Sequence, residues 1–434
     1  MQAFLNMRAS DSHADATFRP KNWREKLLRL YPNGSVSLTA LTALMPSRGL
    51  GAEADPQFYW FNKNLPGQAA AVTAIYTNAA LSSAYTSGGV AGDILWIVAT
   101  EDDSGASEFR PGHQVLLRDT SNLNVDCNAK VLSVSKSSTT VTMQVKLLEA
   151  DDNASGVNDL SDCDRVLIIG NINPEGSEMP DSISYDPSKD TNYTQIFRNS
   201  LSLTRTRMRT KVRYGTTTYQ EAKRDCLELH GIEMEKAFLW SIATEGVGAN
   251  GQPERTTDGL FASVPSTNKS DFTADTDFAG KTWLQSGGDW LDKWLEVLFR
   301  YGSKSRTAYV GTGTVLAINK LIKNNGYFQY TPKTTSYGIQ IMEWVTPFGT
   351  IDMFTHPLFS HEVTNRYNML LFDPSNLGYV YIDDTFFQKD DRMKEGSWVN
   401  IDGIKEGYLT ECGLEIHFKQ TMMRLNGFGS DSAV

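Results

Sequence analysis

The side chains that supply most enzyme and metal chemistry are scarce in this sequence. Its 434 residues include only six histidines and four cysteines. The cysteines Cys127, Cys163, Cys226 and Cys412 form no CxxC pair, which argues against a zinc ribbon and against a thioredoxin-like motif. Cys226 and His230 stand four residues apart and would touch on a helix. Because an isolated pair of this kind packs more often than it forms a protease dyad, we interpret it as structural.

Two other groups of residues could bind a metal ion. His356 and His361 lie five residues apart in THPLFSH, beside a proline, so they do not share a helix face. They lack an HExxH pattern, and a structural or surface role is the better interpretation. Asp383 and Asp384 follow a predicted strand and could bind magnesium, but paired acids there are usually solvated turn residues. We therefore expect neither a metal site nor a cofactor.

A glycine-rich turn, Gly311-Thr312-Gly313-Thr314, lies between a predicted strand and a predicted helix, where phosphate loops occur. A dinucleotide fingerprint would need glycine at Leu316, and a P-loop would need a Lys-Ser/Thr pair after the last glycine. The pattern therefore predicts a tight turn with Thr314 as the helix N-cap. No serine lies in a GxSxG motif. Since no site of any reaction class stands out, we expect a protein that works through its surfaces and not as an enzyme.

The composition is typical of a folded protein that does not bind nucleic acid through a broad basic surface. Hydrophobic residues make up 40% and charged residues 21%, which is enough to bury a sizeable core. The 41 basic and 51 acidic side chains give a net charge of −10, which speaks against a broad basic face for DNA or RNA. The length allows two to four domains at roughly 100–200 residues each, or one core with large elaborations.

The sequence carries no membrane or export signal. The first thirty residues have no signal-peptide pattern, and no apolar run approaches the roughly 20 residues that a membrane helix needs. Scattered cysteines are typical of a reducing compartment. We expect synthesis in the cytosol.

Periodicity separates a β-rich stretch from helical stretches. In residues 93–169, Val141, Met143, Val145 and Leu147 alternate with polar residues, which predicts a compact β-module. Residues 219–244 instead predict one long helix of about 39 Å, at roughly 1.5 Å per residue. Residues 282–301 predict a second helix with a tryptophan stripe.

Two further segments have the character of contact surfaces. Trp23, Leu27 and Leu30 form one apolar stripe on a short N-terminal helix, which needs another element to pack on. Residues 198–213 are β-prone and rich in arginine. In a chain of net charge −10 such a strand more often pairs with acids on a neighbour than with nucleic acid. The first segment therefore predicts an arm, and the second a polar contact surface.

Five short strings in a fixed order carry a resemblance to a known family. They are FYWFNKNLPG (58–67), IIGNINPEGS (168–177), NSLSLTRT (199–206), EMEKAFLW (233–240) and TPFGTIDMFTHPLF (346–359). With the order of arm, β-rich insertion, long helix and terminal strand, they make nearly the whole chain from about residue 58 resemble the major capsid proteins of tailed phages. The resemblance is to the subfamily with an enlarged E-loop.

The resemblance implies the α+β fold of the Hong Kong phage head protein, with an N-arm, a long spine helix, peripheral and axial domains, and a β-rich insertion in the E-loop. The implied boundaries are 1–61 for the N-arm, 62–180 for the E-loop with the β-module at 93–169, 181–302 for the peripheral domain with the spine helix at 219–244, 303–390 for the axial domain, and 391–434 for the return to the peripheral domain and the C-terminal strand.

The function implied by the resemblance is self-assembly into hexamers and pentamers of an icosahedral head. The shell would enclose double-stranded DNA without binding it sequence-specifically, and its partners would be a portal and separate scaffolding or decoration proteins. The expected location is the virion, after synthesis in the host cytoplasm. We expect subunit contacts at Trp23, Leu27, Leu30, Arg205, Arg207, Asp390, Asp391 and Arg392.

Two alternatives fit the sequence less well. A phage decoration protein or adhesin would be a β-rich trimer without a long helix. A hydrolase on an unfamiliar α+β fold would carry a pocket lined by convergent polar groups.

Overall fold

The computed structural model describes residues 47–49, 55–63, 67–101, 107–123, 125–151, 159–210, 218–325, 330–336, 339–361, 363–390 and 402–431. The strands in chain order are β1 (Ser47–Gly49), β2 (Gln57–Asn62), β3 (Ala69–Tyr76), β4 (Ile94–Thr100), β5 (His113–Arg118), β6 (Asp126–Ser137), β7 (Thr140–Leu147), β8 (Arg165–Asn171), β9 (Ser188–Tyr193), β10 (Gln195–Thr204), β11 (Thr244–Val247), β12 (Pro253–Thr256), β13 (Lys269–Asp271), β14 (Ser305–Val310), β15 (Tyr330–Ser336), β16 (Ile339–Val345), β17 (Thr350–Thr355), β18 (Met369–Phe372), β19 (Leu377–Gln388), β20 (Gly403–Ile416) and β21 (Met423–Asn426). The α-helices are α1 (Arg205–Arg209), α2 (Thr218–Trp240), α3 (Leu260–Ser263), α4 (Trp283–Phe299), α5 (Thr312–Asn325) and α6 (Pro357–His361).

These elements form two compact units. The barrel unit is Lys63–Ser188, and the main unit contains the described residues up to Asn62 together with those from Lys189 onward. The predicted α+β class is confirmed, because helices and sheets both contribute to the fold. No helix within the described ranges is both long and apolar enough to cross a lipid bilayer.

The barrel unit is a closed six-stranded barrel in the order β3-β4-β7-β6-β5-β8. Alternate residues of each strand point inward, so Val141, Met143, Val145 and Leu147 of β7 are buried, as their spacing predicted. The barrel begins earlier than the predicted β-module, because β3 closes it against β4 and β8. The sequence of β3, AAAVTAIY, hides this strand, since alanine has a low β propensity.

One layer of the main unit is a four-stranded sheet, β1-β19-β20-β10, with helix α2 packed against β10 and β20. Strands β10 and β20 pair antiparallel along their full length, from Gln195 opposite Cys412 to Thr204 opposite Gly403. Phe238 of α2 packs edge-on against Phe197 of β10, with 6.2 Å between ring centroids. The sheet and the helix therefore share one hydrophobic core.

Helix α2 ends at Trp240, four residues before the predicted end at 244. The amide of Ser241 still donates to the carbonyl of Ala237. From Thr244 the chain pairs with β12 instead, and Thr244 faces Thr256 in that hairpin. The competing hairpin stops the helix, which the sequence pattern did not reveal.

The second layer is a seven-stranded mixed sheet, β13-β21-β18-β14-β17-β16-β15, with α4 and α5 against it. Helix α4 starts with a capping box between Thr282 and Gln285. Trp283 and Trp290 are buried in the core behind it, as the predicted stripe requires.

Candidate assembly surface

The four-stranded sheet β1-β19-β20-β10 has one face covered by α2 and one face that carries exposed side chains. On β10, Phe197 and Leu201 are buried toward the helix, whereas Ile196 is 61% exposed and Arg198 is exposed on the other face. Across the strands Arg198 is opposite Leu409, which in turn is opposite Phe386, itself 45% exposed. The open face therefore combines the exposed apolar side chains of Ile196 and Phe386 with the cation Arg198, and apolar residues and arginine are common at protein interfaces.

A cavity of about 630 Å³ opens at the end of this face. Its lining includes Ser200 of β10, Gly407 of β20 and Gln388 of β19, which lie side by side across the three strands. A Cβ atom at Gly407 would lie 2.2 Å from the backbone oxygen of Asn199. Only glycine permits this close approach of the strands, and it leaves the cavity without a side chain at that position.

Three cationic side chains line this cavity: Arg198, Lys389 and Lys405. The guanidinium of Arg198 donates to the side-chain oxygen of Gln388 at 3.4 Å. We call Arg198, Lys389 and Lys405 the cationic groove. Because Glu406 and Asp390 line the same cavity, its wall carries charges of both signs.

The two carboxylates that line the cavity, Glu406 and Asp390, accept hydrogen bonds from other groups of this chain. Glu406 accepts from the hydroxyl of Tyr219 and, at 3.3 Å, from the amide of Asp390. Burial and the bond to Glu406 together raise the pKa of Tyr219 to about 12. Asp390 accepts from the amide of Lys405 at 3.1 Å. The acids thus hold the end of β19 and the start of β20 in place.

Three of the eight predicted contact residues, Asp390, Arg205 and Arg207, lie within the described residues. Asp390 lines the cavity. Arg205 and Arg207 lie in α1, directly after β10, and Arg205 pairs with Asp402 at 2.9 Å with both side chains more than 60% exposed. The amide of Arg207 donates to the capping hydroxyl of Thr204. The other five, Trp23, Leu27, Leu30, Asp391 and Arg392, lie outside the described residues.

Lys389 and Lys405 were missed by sequence reasoning. They belong to segments distant from β10 in sequence, and only the pairing of β10, β20 and β19 brings them near Arg198. Arg198 did carry a signal, since it lies in the arginine-rich strand. The register that assembles the cationic groove is not visible in any one segment.

The predicted Cys226–His230 pair packs against the sheet. Cys226 lies 3.5 Å from the backbone oxygen of Asn199, and His230 bridges the side chains of Asn199 and Thr410 at 2.7 Å each. Burial raises the pKa of Cys226, which disfavours the reactive thiolate. The structural interpretation of this pair fits these contacts.

His356 is buried and lies 3.1 Å from Glu235 of α2. The side chain of His361 is outside the described part of the structure. Among the residues that are described, no three His, Cys, Asp or Glu side chains are placed to hold a metal ion. His356 therefore joins α2 to the segment after β17.

Two local predictions were wrong. Helix α5 begins at Thr312, so Thr314 is not its N-cap, and its hydroxyl donates to the carbonyl of Asn368 at 3.1 Å. Asp383 and Asp384 do not end their strand, because β19 continues to Gln388 through an irregular register at these residues. Asp384 and Thr385 fall between paired residues of this irregular ladder, where a bulge interrupts the regular pattern of a strand.

A family model and a curated relative both identify the chain as similar to phage major capsid proteins. The model of the SU10 major capsid protein family matches residues 12–429. The major capsid protein of Pseudomonas phage PaMx41 is 27% identical over 355 residues, which cover 78% of this chain and 73% of that protein.

Solved capsid structures show a distant likeness. The capsid of Myoviridae phage XM1 has a TM-score of 0.44 at 10% identity and covers 96% of this chain and 99% of its own. The structure of Mycobacterium phage Bobi has a TM-score of 0.43 at 9% identity, covering 96% and 97%. The capsid of the native GTA particle has a TM-score of 0.44 at 8% identity, covering 97% and 99%.

Proposed function

Since the chain belongs to the SU10 major capsid protein family and is therefore a major capsid protein of a phage head, we propose that its copies assemble into hexamers and pentamers of an icosahedral shell. The family match over residues 12–429 is the observation that carries this proposal. The protein's place is the virion. The shell would enclose double-stranded DNA.

The architecture supports the fold of the Hong Kong phage head protein. In this proposal the barrel unit is the greater part of the E-loop, and α2 is the spine helix of the peripheral domain. The proposed divisions remain 1–61 for the N-arm, 62–180 for the E-loop, 181–302 for the peripheral domain, 303–390 for the axial domain and 391–434 for the return segment.

The exposed surfaces of the main unit support assembly through many contacts. The face that carries Ile196 and Phe386 is partly apolar, and Val247 and Pro253, the last strand pair before the turn of the β11–β12 hairpin, are both exposed. A two-stranded hairpin such as β11–β12 is marginally stable without support from other elements. Repeated weak contacts of this kind add up when each subunit is held by several neighbours.

We propose no enzymatic activity and no cofactor for this protein. The partners are further copies of the chain, a portal, and separate scaffolding or decoration proteins. A net charge of −10 suits a container that encloses DNA without holding it. The adhesin alternative required the absence of a long helix, whereas α2 has 23 residues. The family match replaces both the adhesin and the hydrolase alternatives.

Negative-stain imaging of the purified chain, or of the chain co-expressed with its phage's scaffolding and portal proteins, tests the proposal. Closed shells, or isolated six- and five-membered rings, are expected. Stable monomers under all of these conditions would contradict it.

A further inference from the structure

Residues 191–220 differ in charge from the rest of the chain. They contain six lysine and arginine side chains and no aspartate or glutamate, although the whole chain has a net charge of −10. Salt screens exposed charges over about 8 Å at physiological ionic strength, so the local charge decides which ligand a surface attracts at close range. This stretch can therefore bind an anion even though the protein as a whole is acidic.

Helix α1, directly after β10, presents three of these cations to solvent. Arg205, Arg207 and Arg209 are all exposed, and so are the threonines around them. At about 3.6 residues per turn, Arg207 lies on the side of the helix opposite to Arg205 and Arg209. We call the exposed residues of this segment, Thr204, Arg205, Thr206, Arg207, Arg209 and Thr210, the α1 patch.

Two of the three arginines in the α1 patch have no acidic partner within the described residues. Asp402 pairs with Arg205, whose Nε lies 2.9 Å from the carboxylate. The side chains of Arg207 and Arg209 form no ion pair with any described residue, and Arg207 bonds to Thr204 through its backbone amide. Their guanidinium donors are therefore available to a ligand.

The composition of the α1 patch favours a phosphate-bearing partner over another protein. The centre of a protein–protein interface is apolar and depleted in charge. The apolar residue of α1, Met208, is instead partly buried, and the exposed positions are arginines and threonines. Guanidinium and hydroxyl groups are side-chain donors that contact the phosphates of nucleic acids, and arginine can donate two parallel hydrogen bonds to one phosphate.

The dimensions of α1 also suit a DNA duplex. An α-helix with its side chains is about 10–12 Å across, and the major groove of the duplex is about 12 Å wide. Arginines on opposite sides of a helix that lies against this groove can reach the phosphates of both strands. Contacts of this kind fix the position of the duplex and carry no sequence information.

On the basis of the proposed function, in which the shell encloses double-stranded DNA, we infer that the α1 patch binds the phosphate backbone of the duplex without reading its sequence. Two or three arginines per copy make a weak contact that salt reverses. Many copies in a shell repeat the contact, so DNA is positioned at many points and trapped at none.

Fluorescence anisotropy of a labelled DNA duplex with the purified full-length chain, over a range of salt concentrations, tests the inference. Arg207→Ala with Arg209→Ala should lower the affinity about tenfold at low salt. It should also make the slope of log K against log salt shallower by about 1.8, because each contacted phosphate contributes about 0.9. Duplexes of unrelated sequence should bind equally well.

Two further variants separate a phosphate contact from other causes. Lys320→Ala with Lys323→Ala, at two exposed positions on α5, removes the same charge and should leave the affinity and the slope unchanged. Arg207→Lys with Arg209→Lys keeps the charge and should keep the slope. Circular dichroism and thermal unfolding of each variant check that these exposed substitutions leave the fold intact.

Several results would overturn the inference and leave the proposed function standing. They are an unmodified chain that assembles but does not bind the duplex, an Arg207/Arg209 variant with unchanged affinity and slope, and an equal loss in the α5 variant. Competition by a polyglutamate peptide as strong as that by unlabelled duplex of equal charge would also overturn it, by assigning the α1 patch to an acidic protein. Failure of the chain to form rings or shells contradicts the proposed function, whatever the anisotropy shows.

Discussion

The barrel unit and the main unit build their cores in different ways. The core of the barrel is formed by apolar side chains, and its buried polar residues lie at or beyond strand ends: His113 begins β5, Glu101 and Asp119 follow β4 and β5, and Asp151 and Asp159 lie between β7 and β8. The main unit instead buries polar pairs inside the packed layers. His230 bonds to Thr410, which is 180 residues away in sequence, and His356 bonds to Glu235, which is 121 residues away.

The two units should therefore lose stability through different kinds of substitution. The barrel depends on the fit of apolar side chains from neighbouring strands, so it should lose stability in proportion to the volume removed. The main unit depends also on partners supplied by distant segments, and a buried polar group that loses its partner is costly. Substitutions that act on one unit and spare the other therefore test this contrast.

The largest effect is expected in the main unit at the Arg306–Asp373 pair. Arg306 is fully buried and bonds to Asp373 at 3.2 Å, so Asp373→Ala leaves a buried charge without its acid. We expect a loss of about 3–5 kcal/mol in the free energy of unfolding. Hydrogen exchange should show faster exchange in β14 and β18 and unchanged exchange in the barrel strands.

The matched control replaces both partners. Arg306→Met with Asp373→Ala removes the charge together with its acid and should recover most of the lost stability. If the double variant is as unstable as Asp373→Ala alone, the cost arises from packing and the polar account of this core is wrong.

The second-largest loss of stability is expected from a substitution in the barrel core. Leu117 of β5 is fully buried in the barrel core, so Leu117→Ala should lower the free energy of unfolding by about 3 kcal/mol. Exchange should accelerate in β5, β6 and β8 only. Ile169→Ala in β8 is the control, because Ile169 is half exposed and its truncation should change stability by less than about 0.5 kcal/mol. Equal losses in the two variants would show that the barrel is not the packed core described.

One histidine in each unit should make the free energy of unfolding depend on pH. Burial lowers the pKa of His230 in the main unit, against an opposing effect of Glu233. Burial and the charge of Arg110 lower the pKa of His113 in the barrel. Each histidine is neutral in the folded and unfolded states above about pH 6.5.

Below that value the unfolded chain takes up protons first, so the free energy of unfolding falls as the pH falls toward the lowered pKa. Each histidine contributes at most about 1.4 kcal/mol per pH unit in this window. His230→Gln should flatten the pH dependence of exchange in α2 and β20, and His113→Gln that of β5. A dependence that persists unchanged in both variants would assign it to other groups.

The smallest effect is expected at the exposed Arg205–Asp402 pair. Both side chains are mostly in solvent, so a double-mutant cycle of Arg205→Ala and Asp402→Ala should give a coupling below about 1 kcal/mol. Any larger defect of Arg205→Ala in assembly would then report a contact with another subunit. A strong coupling in the isolated subunit would show instead that the pair stabilises the main unit itself.

The same contrast explains how much of the fold was predictable. The strands of the barrel alternate visibly, and the tryptophan stripe of α4 was legible from its spacing. The buried face of α2 was harder to identify, because it includes His230 and Glu235, which do not look like core residues. Their partners come from β20 and from the segment after β17, and no local pattern encodes such pairings.

The candidate site shows the same limit. The arginine-rich strand pointed to the region of Arg205 and Arg207, and Asp390 was expected as a subunit contact together with the resemblance. The cationic groove arises only when β20 lies between β10 and β19. A one-residue change of register would turn Arg198 toward α2 and abolish the groove, and single segments do not reveal the register.

Sedimentation velocity of the purified 48.2 kDa chain across a wide concentration range measures self-assembly itself. We expect rings or shells many times heavier than one chain, in growing proportion as concentration rises. A single species of one-chain mass at every concentration, with and without the scaffolding protein of its phage, would contradict it.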